Sequence, residues 1–237
     1  MRSAILLAAG VASVNAATPP SLAATTSSLT SNPPPPTVVM GDPSEAPTWG
    51  GARRWTARVD MTNPADSKEH PAWSFTYYYN ADKSAELYHH GEGQGDEICG
   101  QSSVTEAGEC MVLNHPDGHS YVTDITTGTC CRFAMHLGAV LPDWLARSNA
   151  TYVDDLEDAD HWVCDGQYTN NYSCSKDDSH QPIRFWEYKG TVGDETALKQ
   201  WDFDSESYCA SGKDGECFED DGAFAKPDDC DKLCRPF

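Results

Sequence analysis

The cysteines constrain this chain more than any other residue type. There are ten, at Cys99, Cys110, Cys130, Cys131, Cys164, Cys174, Cys209, Cys217, Cys230 and Cys234, all in the second half of 237 residues. An even set of thiols is read as disulfides or as metal ligands, and spacing decides between them. No Cys-x-x-Cys pair occurs, the adjacent Cys130 and Cys131 cannot easily aim both sulfurs at one ion, and neither Cys99-x10-Cys110 nor Cys230-x3-Cys234 has a matching histidine spacing. All ten are expected to pair, giving up to five disulfides, which requires an oxidising compartment.

The start of the chain agrees with such a compartment. Met1-Arg2-Ser3 is followed by an apolar run from Ala4 to Val14 and by the small residues Ala16-Ala17, the three parts of a secretory signal peptide over residues 1–16. That run is shorter than the ~20 apolar residues a membrane span needs, and no later stretch approaches that length, so stable membrane insertion is not expected. Residues 17–40 are rich in Pro, Ser and Thr and include Pro33 to Pro36, a stiff spacer with too little apolar surface to order itself. Residues 41–237 remain for a single domain. Two sequons, Asn149-Ala150-Thr151 and Asn171-Tyr172-Ser173, make Asn149 and Asn171 candidate glycosylation sites on surface loops. A net charge of -21 argues against a nucleic-acid partner, which needs clustered Lys and Arg.

Within the domain, Trp55, Ala57, Val59 and Met61 alternate with polar residues at the period of two that marks a half-buried strand. The aromatic run Trp73 to Tyr79 and the segment Ala85 to His89 flank a turn at Asn80 to Lys83. Strands at Cys110 to Leu113 and Ser120 to Ile125 flank Pro116-Asp117-Gly118, whose three residues each favour a turn for a different reason. A further strand is expected at Cys131 to Met135, then short ones near Thr151 to Val153, His161 to Cys164, Ile183 to Lys189 and Leu198 to Phe203. Only Pro142 to Arg147 reads as helical. The tail from Ser205 reads as irregular and pinned by its cysteines. The pattern is all-β.

Trp55, Trp73, Phe75, Tyr77, Tyr79, Phe133, Trp144, Trp162, Phe185, Trp186, Trp201 and Phe203 are many large rings for one β domain. They serve either as core or as the lining of a concave apolar site. Acidic residues are abundant but lack the order of a Ca²⁺-binding helix-loop-helix; Asp202, Asp204 and Glu206 have the spacing to share a strand face and form a weak Ca²⁺ site. His115 and His119 straddle the Pro-Asp-Gly turn and could approach each other across it. There is no Gly-x-Ser-x-Gly elbow, His-Glu-x-x-His, phosphate-binding glycine loop or dinucleotide fingerprint, so nothing assigns an enzyme.

In order along the chain, several segments resemble the ependymin-related family. They are Ala46-Pro47-Thr48-Trp49-Gly50-Gly51, the Tyr-rich strand Phe75 to Asn80, Tyr121-Val122-Thr123-Asp124 before Cys130, the set Trp162, Tyr172, Cys174 and Pro182-Ile183, and Phe224-Ala225-Lys226-Pro227-Asp228-Asp229-Cys230. The likeness spans most of residues 46–230. It departs at Ser44-Glu45, where the family carries a cysteine, and in its extra cysteines, so no pairing is carried over. The resemblance implies two stacked antiparallel sheets forming an open half-barrel, here with one short helix and a disulfide-pinned tail. It further implies a deep apolar pocket, N-linked glycans, Ca²⁺ sensitivity and homodimers.

The expected function is a secreted glycoprotein that binds a hydrophobic or lipid-like small molecule, with Trp73, Phe75, Tyr77, Tyr79, Trp162 and Trp186 lining the pocket. A Ca²⁺-binding matrix or cell-surface glycoprotein and a secreted carboxylate-dependent glycan hydrolase are the alternatives.

Overall fold

The computed structural model describes residues 46–64, 72–91, 99, 104, 109–133, 139–153, 156–165, 168–189, 197–211, 217 and 221–234. The signal segment and the spacer lie outside them. Twelve strands form one antiparallel sheet: β1 (Arg54–Thr62), β2 (Trp73–Asn80), β3 (Ala85–His90), β4 (Cys110–His115), β5 (His119–Asp124), β6 (Cys130–Arg132), β7 (Thr151–Val153), β8 (Ala159–Cys164), β9 (Tyr168–Ser175), β10 (Pro182–Lys189), β11 (Lys199–Phe203) and β12 (Cys209–Ala210). The order is β6-β5-β4-β3-β2-β1-β11-β10-β9-β8-β7, with β12 pairing beside β11 on β1. The sheet is therefore an open meander, and the two expected sheets are halves of one continuous ladder. The helix α1 (Trp144–Arg147) is a single turn carrying the fully buried Leu145.

Curvature comes from the rings. Trp49 lies in a 3₁₀ turn, Trp49–Gly51, just before β1. Its ring centroid is 6.0 Å from Trp55 on β1, 6.5 Å from Tyr77 on β2, 6.0 Å from Phe203 on β11, 6.3 Å from Phe185 on β10 and 5.0 Å from Tyr172 on β9. Five neighbouring strands of a flat sheet span roughly 19 Å, so one ring could not reach them all. The sheet must curl around Trp49.

The opposite, convex face of β3 to β5 carries Ala85, Leu87, Leu113 and Tyr121, covered by Phe224 from a C-terminal 3₁₀ turn, Asp221–Phe224. Adjacent residues of a strand point to opposite faces, which explains the adjacent cysteines of β6. Cys130 pairs with Cys230 on the convex side (Cα–Cα 5.4 Å), and Cys131 pairs with Cys234 on the concave side (5.0 Å). The tail thus wraps edge strand β6, and a parallel bridge between Arg132 and Leu233 occupies its open edge, a common defence against stray strand pairing. Cys99–Cys110 and Cys209–Cys217 close short loops.

Two expectations need correction. Cys164 and Cys174 form no disulfide and are buried thiols. In the β8–β9 register Cys164 faces Asn170 and Cys174 faces Asp160, several residues apart along the ladder, so they cannot reach each other. Second, the strand pattern read from the sequence omits β9, whose Asn170-Asn171 centre and sequon read as a surface loop. The strand lies between β8 and β10, with Asn171 only 3% exposed. The end of the expected strand at Cys131 to Met135 falls beyond the described residues.

Candidate functional site

The concave face is built by alternation. Trp73, Phe75, Tyr77 and Tyr79 are successive inward residues of β2, all buried. Tyr88 and Glu86 of β3 stand opposite Tyr77 and Tyr79, and Val59 and Met61 of β1 stand opposite Phe75 and Trp73. Trp201 and Phe203 of β11, Phe185 of β10, Tyr172 of β9 and Trp162 of β8 continue the same face. Most ring contacts are edge-on or tilted, as between Phe75 and Trp201 at 5.6 Å and between Tyr88 and Trp201 at 6.0 Å, the geometry that ring quadrupoles favour; Tyr77 and Tyr79 are parallel, with centroids 6.5 Å apart.

Polar groups among the rings fall into two kinds. The first are satisfied. Trp49 Nε1 donates to the Tyr77 hydroxyl (3.0 Å), Trp55 Nε1 to the Trp49 carbonyl (3.1 Å), and Gly50 N to the Tyr172 hydroxyl (3.2 Å). Glu86, 1% exposed, accepts from the Tyr88 hydroxyl (2.7 Å), Asn114 Nδ2 (3.3 Å) and the Val140 backbone N–H. Burial pushes its carboxyl pKa up, against the pull of those donors. Burial likewise holds the Tyr77 and Tyr88 hydroxyls well above the usual tyrosine range, with the Glu86 charge adding to it.

The second kind are orphans. The indole N–H groups of Trp73, Trp144, Trp162 and Trp201 are buried and donate to nothing among the described residues.

Five of the six expected pocket residues therefore share one face: Trp73, Phe75, Tyr77, Tyr79 and Trp162. Trp186 does not. It is paired with Asn171 and Gln200 in register, which puts it on the other face of the sheet. There it stacks on His161 at 4.9 Å, and His161 Nε2 bonds Asn171 Oδ1 at 3.0 Å. This buried set also contradicts the surface placement of Asn171, whose amide is enclosed in the fold. Asn149 is exposed, in the turn after α1 with φ of 50°, as expected.

The carboxylates of Asp202, Asp204 and Glu206 are not aligned, because β11 ends at Phe203. Asp202 is held by Arg184 Nε and by Gln200 Nε2 (2.7 Å), and Asp204 caps its own turn by accepting from Glu206 N (3.0 Å). His115 and His119 do face each other in the β4–β5 register, with Asp117 between them. Asp117 Oδ2 accepts from the Tyr121 hydroxyl (2.6 Å) and its Oδ1 from His119 N (3.1 Å). Desolvation raises the Asp117 carboxyl, but these bonds and His115 outweigh it and hold its pKa at about 2. Arg132 Nη1 lies 2.7 Å from His119 Nε2 and Lys226 Nζ 4.0 Å from Asp117, so positive charge already occupies this corner.

Among the described residues, one group offers three metal-ligating side chains within 4.8 Å of one another: Asp160, Cys174 and His180. Spacing does not reveal it, since Asp160 lies on β8, Cys174 on β9 and His180 in the turn that follows. Trp49 and Glu86 are also site residues that the sequence reading misses. An open groove of about 520 Å³ lies outside the face, lined by residues including Arg53, Arg54, Asp82, Ser179 and Tyr208. No helix of the described residues is long and apolar enough to cross a membrane.

No model of a protein family matches the chain, and no curated protein matches it. Among solved structures it is similar to an uncharacterized conserved protein from Thermus thermophilus, at 11% identity and TM-score 0.42, over 77% of this chain and 90% of the other.

Proposed function

We propose that the protein is a secreted glycoprotein that carries a hydrophobic or amphipathic small molecule, lipid-like in class, on the concave face of its sheet. One observation carries the reading: a wall of apolar rings that also holds four buried indole N–H groups without acceptors among the described residues. Buried Trp N–H groups ordinarily find a partner, and each one left without costs about 1–3 kcal/mol. A ligand with a long apolar body and a few carbonyl, ester or carboxylate oxygens suits both features. Its body gains about 25 cal/mol per Å² buried against the rings, and its oxygens accept from the indoles. The disulfides suit an extracellular setting, the exposed Asn149 suits a glycan, and the ependymin-like order of motifs supports the same reading.

Titration with a long-chain fatty acid, followed by tryptophan fluorescence, tests it. Wild type is expected to bind saturably, and Trp73→Phe and Trp201→Phe, which keep a smaller aromatic ring and lose the N–H, each to bind about tenfold more weakly. Absence of saturable binding, or unchanged affinity in both variants, would contradict the proposal.

A further inference from the structure

The register of β8 and β9 sets Asp160 directly opposite Cys174. Both occupy the row of Trp162 and Tyr172, two residues along each strand. Beyond Ser175 the chain reverses and rejoins the ladder at Pro182, which pairs with Cys174 beside a bulge. The reversal is braced. Ser175 N donates to the Gln181 carbonyl (2.9 Å), Gln181 N to Ser175 Oγ (2.9 Å), and Ser179 N to Asp177 Oδ1 (2.9 Å). His180 sits at its end, where its imidazole reaches the strands.

Two of the three side chains brought together here hold a ligand atom with no bonding partner among the described residues. Cys174 is a thiol with 0% exposure and no disulfide, in a chain whose cysteines otherwise pair except Cys164. His180 Nδ1 is buried and makes no hydrogen bond. Asp160 accepts from the Tyr152 hydroxyl at 3.2 Å through Oδ1, which leaves its other oxygen for a ligand role.

We propose that Asp160, Cys174 and His180 bind one Zn²⁺ ion, with solvent in the fourth position. The donor chemistry selects the metal. A thiolate and an imidazole disfavour Ca²⁺ and Mg²⁺, which take all-oxygen shells, whereas sulfur, nitrogen and carboxylate oxygen together suit zinc. Bond lengths of about 2.0–2.3 Å place tetrahedral ligand atoms roughly 3.5 Å apart. The observed spread, within 4.8 Å, closes onto an ion with a shift of roughly one ångström or less from each side chain. On binding, the Cys174 thiol gives its proton to solvent and the sulfur becomes a thiolate ligand. The ion joins β8 to the β9–β10 turn, and that binding energy adds to the stability of this end of the sheet. Spacing excludes a zinc finger, and the fold nevertheless assembles a three-ligand site.

Cobalt(II) replaces zinc and reports thiolate ligation by its absorbance. The full secreted chain, stripped with a chelator, is titrated with Co²⁺ and then with Zn²⁺. One equivalent of Co²⁺ is expected to give a thiolate-to-metal band that zinc abolishes. The band should vanish in Cys174→Ser and persist in Cys164→Ser, the other buried thiol. His180→Gln, in a turn and so tolerant of change, should weaken Co²⁺ by at least about tenfold. No band in wild type, or a band that survives in Cys174→Ser, would overturn the assignment. Should Cys174→Ser not fold, unaltered Co²⁺ affinity in His180→Gln would overturn it equally.

Discussion

Trp49 shows how much of this fold turns on single residues. The residues after it, Gly50 and Gly51, have φ of 67° and 71°. A Cβ on Gly50 would sit 2.1 Å from the Trp55 ring, and one on Gly51 would sit 1.8 Å from the Ser179 carbonyl. Both glycines let the backbone pass close enough for Trp49 to meet five strands. The sequence shows the Trp-Gly-Gly triplet but not its destination, which depends on residues more than 120 positions away. Turn residues are more legible. Pro116-Asp117-Gly118 forms the β4–β5 turn as its chemistry requires, and Asp117 becomes the hub of His115, His119 and Tyr121. That hub has a pH signature. The Asp117 carboxyl titrates near 2 in the fold against an ordinary value of 3.8, so its contribution is complete above about pH 4 and is lost as pH falls toward 2. Urea unfolding of Asp117→Asn is expected to show a smaller loss of stability than wild type between pH 4 and pH 2. Parallel curves over that interval would contradict this.

At the scale of elements, strands with clean alternation are readable, as β1 shows with Trp55, Ala57, Val59 and Met61 all buried. β9 is not, because Asn and Ser carry little β-propensity and a sequon suggests exposure. Its stability comes from pairing on both sides and from the hydrogen bond between His161 Nε2 and the side-chain oxygen of Asn171, which no local pattern contains. Trp186 escapes for a related reason. Phe185 and Trp186 are adjacent rings, and which of them faces inward is set by the pairing of β10 with β9 and β11, past a bulge between Pro182 and Arg184. The wrapped tail yields a prediction of its own. Cys130–Cys230 and Cys131–Cys234 close loops of 100 and 103 residues, but once either is formed the other closes only a few more. Replacing one pair with alanine should therefore cost roughly 2 kcal/mol, and replacing both about 5 kcal/mol or more. Denaturant unfolding measures this; a single pair costing as much as both would contradict it.

For the whole molecule, composition and turn spacing indicate an all-β chain, and the family resemblance supplies its open form. The cause of the curl is not readable, because it lies in Trp49 gathering rings from β1, β2, β9, β10 and β11. The aromatic set is legible as a unit, with five of its six proposed lining residues on one face. Its orphan indoles are not, since a hydrogen-bond deficit exists only in three dimensions. The cluster of Asp160, Cys174 and His180 is hidden in the sequence because two paired strands and a turn bring it together, and because Cys174 counts there among the disulfides. The central claim is that the concave face carries a lipid-like molecule, and it is tested most directly by mass. The protein is secreted from a eukaryotic host and weighed native and then denatured, with the difference extracted into organic solvent. An added native mass that leaves as an extractable, oxygen-bearing lipid is the result expected. A native mass equal to the glycosylated, disulfide-bonded chain, with or without one metal ion, would contradict the carrier reading.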